Sequence, residues 1–323
     1  MHGKIIFLSQ NPKDAEFCQE IGRKLNMEVV AVGRAEGLMD SLIENRQSVV
    51  FLQSDHEGSD YPASPFYLQS LVEKALCYLP PSRLFSLSEK SVFSSPKLNR
   101  TSSIATYCQR NYDSFAMDWV CKIVTSSLDT EIEALTHFKD GDAKELKIKL
   151  THSQDKSKAL LGFEKLLLAK KMNERAVQVV LQAVDELIMN ALFDAPLDEK
   201  QRPYRKTEER DTDFFLFDRE EIDLGIILNE ETVVIHVTDH FGSLSREKAI
   251  ALIQKDYTKS EYKTDAFVKS AGLGLHGVVG SGLGLFIEVA PKVSTQAILA
   301  FPIFKNFKSM RNSFRSFTLR VKD

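Results

Sequence analysis

The chain has 323 residues, enough for two domains that each bury a core. A hydrophobic share of 43% and a charged share of 27% are ordinary for a globular protein, and a net charge of -3 gives no electrostatic reason to expect nucleic acid or an anionic membrane as partner. Four scattered cysteines (Cys18, Cys77, Cys108, Cys121) without a Cys-x-x-Cys pair read as reduced thiols of a cytoplasmic protein, and no apolar run approaches a signal-peptide core or a membrane span.

In chain order, KIIFLS (4–9) reads as a buried strand and 12–25 as an amphipathic helix with Phe17, Ile21 and Leu25 on one face. EVVAVG (28–33), LMDSLIEN (38–45), SVVFLQS (48–54), residues 65–79 and SRLFSLS (82–88) continue the alternation of strand and helix. A Ser-rich, Pro-marked loop over 80–103 and a closing helix over 115–128 complete the first half. The alternation predicts a parallel α/β sheet, and residues 1–128 resemble a response-regulator receiver, a flavodoxin-like fold. The chemistry of a receiver is missing. Ser9-Gln10 stand where an acidic pair is expected, Gln53 stands at the phosphoacceptor position, Asp55 falls two residues beyond it, and no Lys-Pro pair follows. The expectation is a pseudo-receiver that docks a partner or dimerises; an unrelated small α/β domain is the alternative.

Residues 129–143 read as a charged linker, with a turn signal at Asp140-Gly141-Asp142. The second half, 144–323, begins with an alternating strand (144–152) and a helix (157–171). A second helix, capped by Asn173, runs to Phe193. A charged connection (198–213) leads to strands at FFLF (214–217), IDLGIIL (222–228) and TVVIHVTD (232–239), the last two joined by a hairpin turn at 229–231. Further strands follow at 285–290, 296–301 and 316–321. The pattern predicts an α+β sandwich, a mixed sheet with helices on one side.

Three segments carry chemistry. DELIMNAL (185–192) sets Glu186 and Asn190 four apart on one helix face. VTDHFG (237–242) ends a β-branched run with Asp239 at its mouth. SAGLGLHG (270–277) is a glycine-alternating turn leading into Leu275 and His276, which lets backbone approach phosphates. A carboxamide for a hard cation, a buried acid for a base edge and bare backbone for phosphates are what an ATP–magnesium site needs. A second run, GSGLGLFIEV (280–289), leads straight into a strand and is the weaker phosphate loop.

The order and spacing of these segments resemble the GHKL superfamily of gyrase, heat-shock chaperone, histidine kinase and MutL ATPases, over about residues 145–323. The resemblance implies a Bergerat-type ATPase sandwich and, by position, Glu186 as the base, Asn190 as the magnesium ligand and Asp239 as the adenine reader. Gly242, Gly272, Gly274 and Leu275 would complete the nucleotide site, with ATP and Mg2+ as cofactors. The family's Asp-x-Gly-x-Gly is Asp239-His240-Phe241-Gly242-Ser243 here, so Phe241 either packs under the base or crowds the pocket. Residues 245–270 are long enough for a lid, with Lys263 and Lys269 in reach of phosphates. Neither His137 nor His152 has the context of a phosphoacceptor, so the chain looks most like the anti-sigma-factor serine kinases. The expected function is a bacterial-type signalling ATPase or protein Ser/Thr kinase acting on a partner protein. A homodimer is compatible with this reading. The alternatives are a non-catalytic nucleotide-sensing module and a scaffold without nucleotide. A basic stretch interleaved with Phe304, Phe307, Phe314 and Phe317 offers nucleic acid a surface, but the alternation of SFTLRV favours a last sheet strand with its basic residues in water.

Overall fold

The computed structural model describes residues 3–9, 11–53, 65–88, 103–139, 141, 143–205, 208–210, 212–253 and 274–322. The protein is an α/β fold of mixed sheet and helices that divides into two compact units. Met1–Phe138 and Ser316–Arg320 form the first, and Lys139–Arg315 with Val321–Asp323 the second.

The first unit alternates β1 (Lys4–Leu8), α1 (Pro12–Leu25), β2 (Glu28–Ala31), α2 (Ala35–Glu44), β3 (Val49–Gln53), α3 (Pro65–Ala75), β4 (Leu84–Ser88), β5 (Thr106–Gln109), α4 (Ser114–Leu128) and α5 (Ala134–Phe138). Its strands lie in the order β2-β1-β3-β4-β5, all parallel. The central β1 and β3 are apolar and buried on both faces, as strands covered on two sides must be, while the edge strand β2 is exposed at both ends. Local sequence sets the helix ends: Asn11 accepts from the Lys13 N–H ahead of Pro12, and Asp113 accepts from Ala116 N–H.

Three expectations change here. The stretch expected as a linker carries α5, whose Ala134, Leu135 and Phe138 are buried, with the Phe138 ring 4.7 Å from Trp119. The strand Ser316–Val321, grouped by chain order with the second half, pairs antiparallel with β5, Phe317 opposite Tyr107. Trp119 Nε1 donates to Ser316 Oγ at 2.6 Å. Arg320, expected in water, is only 3% exposed and donates to the carbonyl and hydroxyl oxygens of Ser126. Phe304, Phe314 and Phe317 are buried too, so the basic stretch is not an open aromatic surface.

At the C-terminal ends of β1, β3 and β5 the first unit closes on a buried acid. Asp14, fully buried, accepts from Arg110 Nε at 2.8 Å and Nη2 at 3.0 Å and from the Tyr112 hydroxyl at 3.0 Å. The Ser9 hydroxyl lies 2.5 Å from Asp14 Oδ2, which it shares with Arg110 Nη2, and 3.0 Å from Gln53 Oε1. Gln10 and Asp55 lie outside the described residues.

The second unit runs through β6 (Lys144–Leu150), α6 (Asp155–Ala169), α7 (Glu174–Met189), β7 (Ile222–Leu228), β8 (Thr232–Asp239), α8 (Arg246–Ile253), α9 (Gly274–Gly280), β9 (Gly284–Ala290), β10 (Ser294–Pro302) and α10 (Phe307–Arg311); β11 (Ser316–Val321) is the strand already placed. Its sheet, in the order β9-β10-β8-β7-β6, is antiparallel throughout. α7 lays Val177, Val180, Val184 and Leu187 on it. FFLF does not form a strand. Phe215 makes a single bridge to His152, and Phe215 and Phe217 are 65% and 70% exposed. Against the expectation of no membrane-length run, Glu174–Asp194 is long and apolar enough to cross a membrane by length and composition, but 67% of its most apolar 18-residue stretch is buried within the protein.

Candidate functional site

Side chains from α7, the end of β8, the start of α9 and the strands β9 and β10 line a hollow in the second unit. Asn190, Asp239 and Leu275 are all in its wall. The rest is mainly apolar, from Leu187, Ala191, Val237, Leu244, Ile287 and Ala297, with Asp194, Ser243, Lys248 and Thr295 as further polar members. An apolar cleft with a few convergent polar groups is the usual form of a small-molecule site.

Asn190 is presented by a change in helix geometry. The Asn173 side chain accepts from the Ala176 N–H to start α7, and the helix widens at its end into a π-type turn over Asn190–Asp194. The Ala195 N–H then bonds the Asn190 carbonyl. Such turns are frequent at functional sites because they re-aim side chains that a regular helix would align. Glu186 stands one turn earlier, with 14% of its side chain exposed, and is not in the wall of the hollow. Burial raises its pKa above the usual carboxylate value, against Arg210, whose Nη1 lies 3.9 Å from Oε2.

Asp239 closes β8 and is 7% exposed. One of its oxygens accepts from the Phe241 N–H at 2.9 Å and the Gly242 N–H at 3.2 Å. Burial pushes its pKa up, against these two backbone donors. Thr295, its register partner on β10, adds a buried hydroxyl to the same wall.

The altered motif after Asp239 has a geometric explanation. Phe241 is outside the wall of this hollow. It lines a neighbouring one of about 470 Å³ with Arg219 and Lys292, and the Arg219 guanidinium lies 5.1 Å from its ring centre. It neither underlies nor crowds the space before Asp239. Gly242 is also outside the wall; it has φ +58, and a Cβ there would lie 2.1 Å from the Ala290 carbonyl oxygen, so the turn fits against the β9–β10 connection only as glycine.

Gly274 opens α9 at φ +60, beside Glu186, whose Oε1 would be 3.8 Å from a Cβ there. His276 Nδ1 lies 2.6 Å from the Ile253 carbonyl oxygen. Gly272, Lys263 and Lys269 fall outside the described residues. In the second glycine run, Gly282 and Gly284 lead into β9 and are absent from the wall. Among the described residues, no three His, Cys, Asp or Glu side chains gather to hold a metal ion.

Sequence reasoning missed Thr295 and Lys248. Thr295 reaches the site only because antiparallel register sets it opposite Asp239, a long-range fact without a local signal. Lys248 sits in a Ser-Arg-Glu-Lys run that reads as a solvated helix start.

No known family model matches the chain, and no curated protein matches it.

Proposed function

We propose that the hollow is a nucleotide site and that the second unit binds ATP with magnesium in the manner of the GHKL ATPases. The observation that carries this reading is the convergence of Asn190, Asp239 and Leu275, which are 85 residues apart in sequence at their extremes (275 − 190), on one mainly apolar hollow. In this reading Asp239 accepts from the exocyclic amine of adenine. Two backbone N–H groups hold one carboxylate oxygen and fix the plane of the group, so the base is read by a rigid acceptor. Val237, Ile287 and Ala297 offer the flat apolar surface the base needs.

The other polar members of the lining suit magnesium with phosphate. That ion keeps most of its waters and takes few protein oxygens besides phosphate. The Asn190 amide oxygen would be such a ligand, and Lys248 would offset phosphate charge. The metal, when bound, would draw charge from the phosphates. Glu186, whose pKa is raised by burial, is suited to take a proton from a water or hydroxyl nucleophile. The reading extends to a cytoplasmic signalling ATPase or Ser/Thr kinase acting on a partner protein. The first unit, with Ser9 and Gln53 where receiver acids would stand, serves as a docking module in it.

Calorimetric titration of the full chain with MgATP tests the reading. Binding is expected, and Asp239→Asn should weaken it by about tenfold to a hundredfold, the cost of one buried hydrogen bond to a charged group. Asn190→Ala should remove the magnesium dependence while leaving adenosine binding in place. Absence of heat with the wild-type chain defeats the proposal. ATP turnover lost in Glu186→Gln with binding retained separates an enzyme from a nucleotide-sensing module.

A further inference from the structure

Glu186 and the cation beside it, Arg210, stand next to the hollow but outside its wall. Arg210 belongs to the charged connection that leaves the hollow at Asp194 and Ala195, and its guanidinium meets Glu186 at 3.9 Å, too long for a hydrogen bond. More than half of its side chain, 56%, is exposed, whereas Glu186 is 14% exposed. Among the described residues no hydrogen bond fixes the guanidinium. Glu186 otherwise feels Asp185, Asp194 and Lys156, and Lys156 is itself 2.7 Å from Asp185. Arg210 is thus the larger of two cationic influences on a buried carboxylate, held by charge and by no hydrogen bond among the described residues. Gly274 lies against the same carboxylate, and its neighbour Leu275 is in the wall of the hollow.

We propose that Arg210 is a ligand for the terminal phosphate of the nucleotide, parked on Glu186 while the hollow is empty. The inference rests on the nucleotide reading and adds to it a residue and a selectivity. A terminal phosphate carries more charge than one carboxylate and presents oxygens that a guanidinium can grip with two parallel N–H donors. It therefore draws Arg210 from Glu186. The freed carboxylate, still buried, keeps only Lys156 of the two cations that lower its pKa and becomes the better proton acceptor. A diphosphate stops short of the exchange and leaves Arg210 where it is.

The test is calorimetric titration of the full chain with MgATP and MgADP, in wild type, Arg210→Ala, Arg210→Lys and Glu186→Gln, with thermal melting to check folding. Arg210→Ala should lose about tenfold in ATP affinity with ADP affinity unchanged, and Arg210→Lys should recover part of the loss. Glu186→Gln, which removes the competing carboxylate, should tighten ATP but not ADP. Equal losses for the two nucleotides in Arg210→Ala, or no loss for either, overturn the role of Arg210 and leave the nucleotide site standing. No binding of either nucleotide by the wild-type chain overturns both.

Discussion

The imidazole of His236 fills the space that a side chain on Gly225 would take: a Cβ there would lie 2.1 Å from Nε2. The two are register partners on β8 and β7. Val237 and Asp239 face the hollow, so the alternation of the strand puts His236 on the other face of the sheet. Gly225→Ala must displace the ring and with it the 3.2 Å contact of Nε2 with Glu145. The expected cost is about 1–3 kcal/mol, as for other overpacked cores. Thermal melting should show it, and Gly225→Ala with His236→Ala should recover most of it relative to His236→Ala alone. A Gly225→Ala protein that melts like wild type would show that the ring is not fixed there.

The same histidine predicts a pH dependence. Burial is the main cause holding its pKa below the usual 6.5, and the charges of Lys139 and Lys147 act in the same direction; the contact with Glu145 opposes them. Between the folded and unfolded values the unfolded chain binds the extra proton, so stability rises with pH across that window. The contribution is fully present above the unfolded value and is lost as pH falls through the folded one. Melting curves from pH 8 to 5 should therefore fall more steeply for wild type than for His236→Gln. Parallel curves would exclude His236 as the titrating group.

In the first unit the prediction concerns a charge. Asp14 is fully buried, and 6% of the Arg110 side chain is exposed. Arg110→Met leaves the carboxylate with the Ser9 and Tyr112 hydroxyls as partners but no guanidinium, which should cost about 3–5 kcal/mol. Asp14→Asn with Arg110→Met removes both charges and should be milder than Arg110→Met alone. Denaturant unfolding of wild type, Asp14→Asn, Arg110→Met and the double variant measures the coupling. If the double variant is no better than Arg110→Met, the pair does not act through charge.

What was legible in the sequence was local. The periodicity of 12–25 and 174–189, the Asn173 cap and the hairpin turn at 229–231, where the Asn229 N–H bonds the Thr232 carbonyl, are short-range properties, and the elements lie where the pattern put them. Long-range pairing was not legible. Strand β5 is only TYCQ, beyond a Ser-rich stretch, and β11 joins it from across the chain. FFLF has the composition of a strand, but Phe214 is engaged by Arg205, 4.3 Å from its ring centre, and by Phe193 at 5.8 Å, while its neighbours point outward. In the site, Asn190 and Asp239 could be picked from spacing and strand end, whereas Thr295 depended on register and Arg210 on a connection that reads as merely solvated.

The chain has one tryptophan. Trp119 is 2% exposed, stacks near Phe115 and Phe138 and donates its indole N–H to Ser316 at 2.6 Å. Ser316→Ala leaves a buried donor without its acceptor and should destabilise the first unit by about 1–3 kcal/mol. Ending the chain at Arg315 removes β11 altogether, and with it Phe317 and Leu319, which are each 1% exposed. Trp119 emission should then shift to the red in the native protein, because the indole gains water on the side that β11 covered. Emission that stays blue after truncation would mean that β11 is an addition to an already closed unit, and Ser316→Ala should in that case leave the unfolding midpoint followed by Trp119 unchanged.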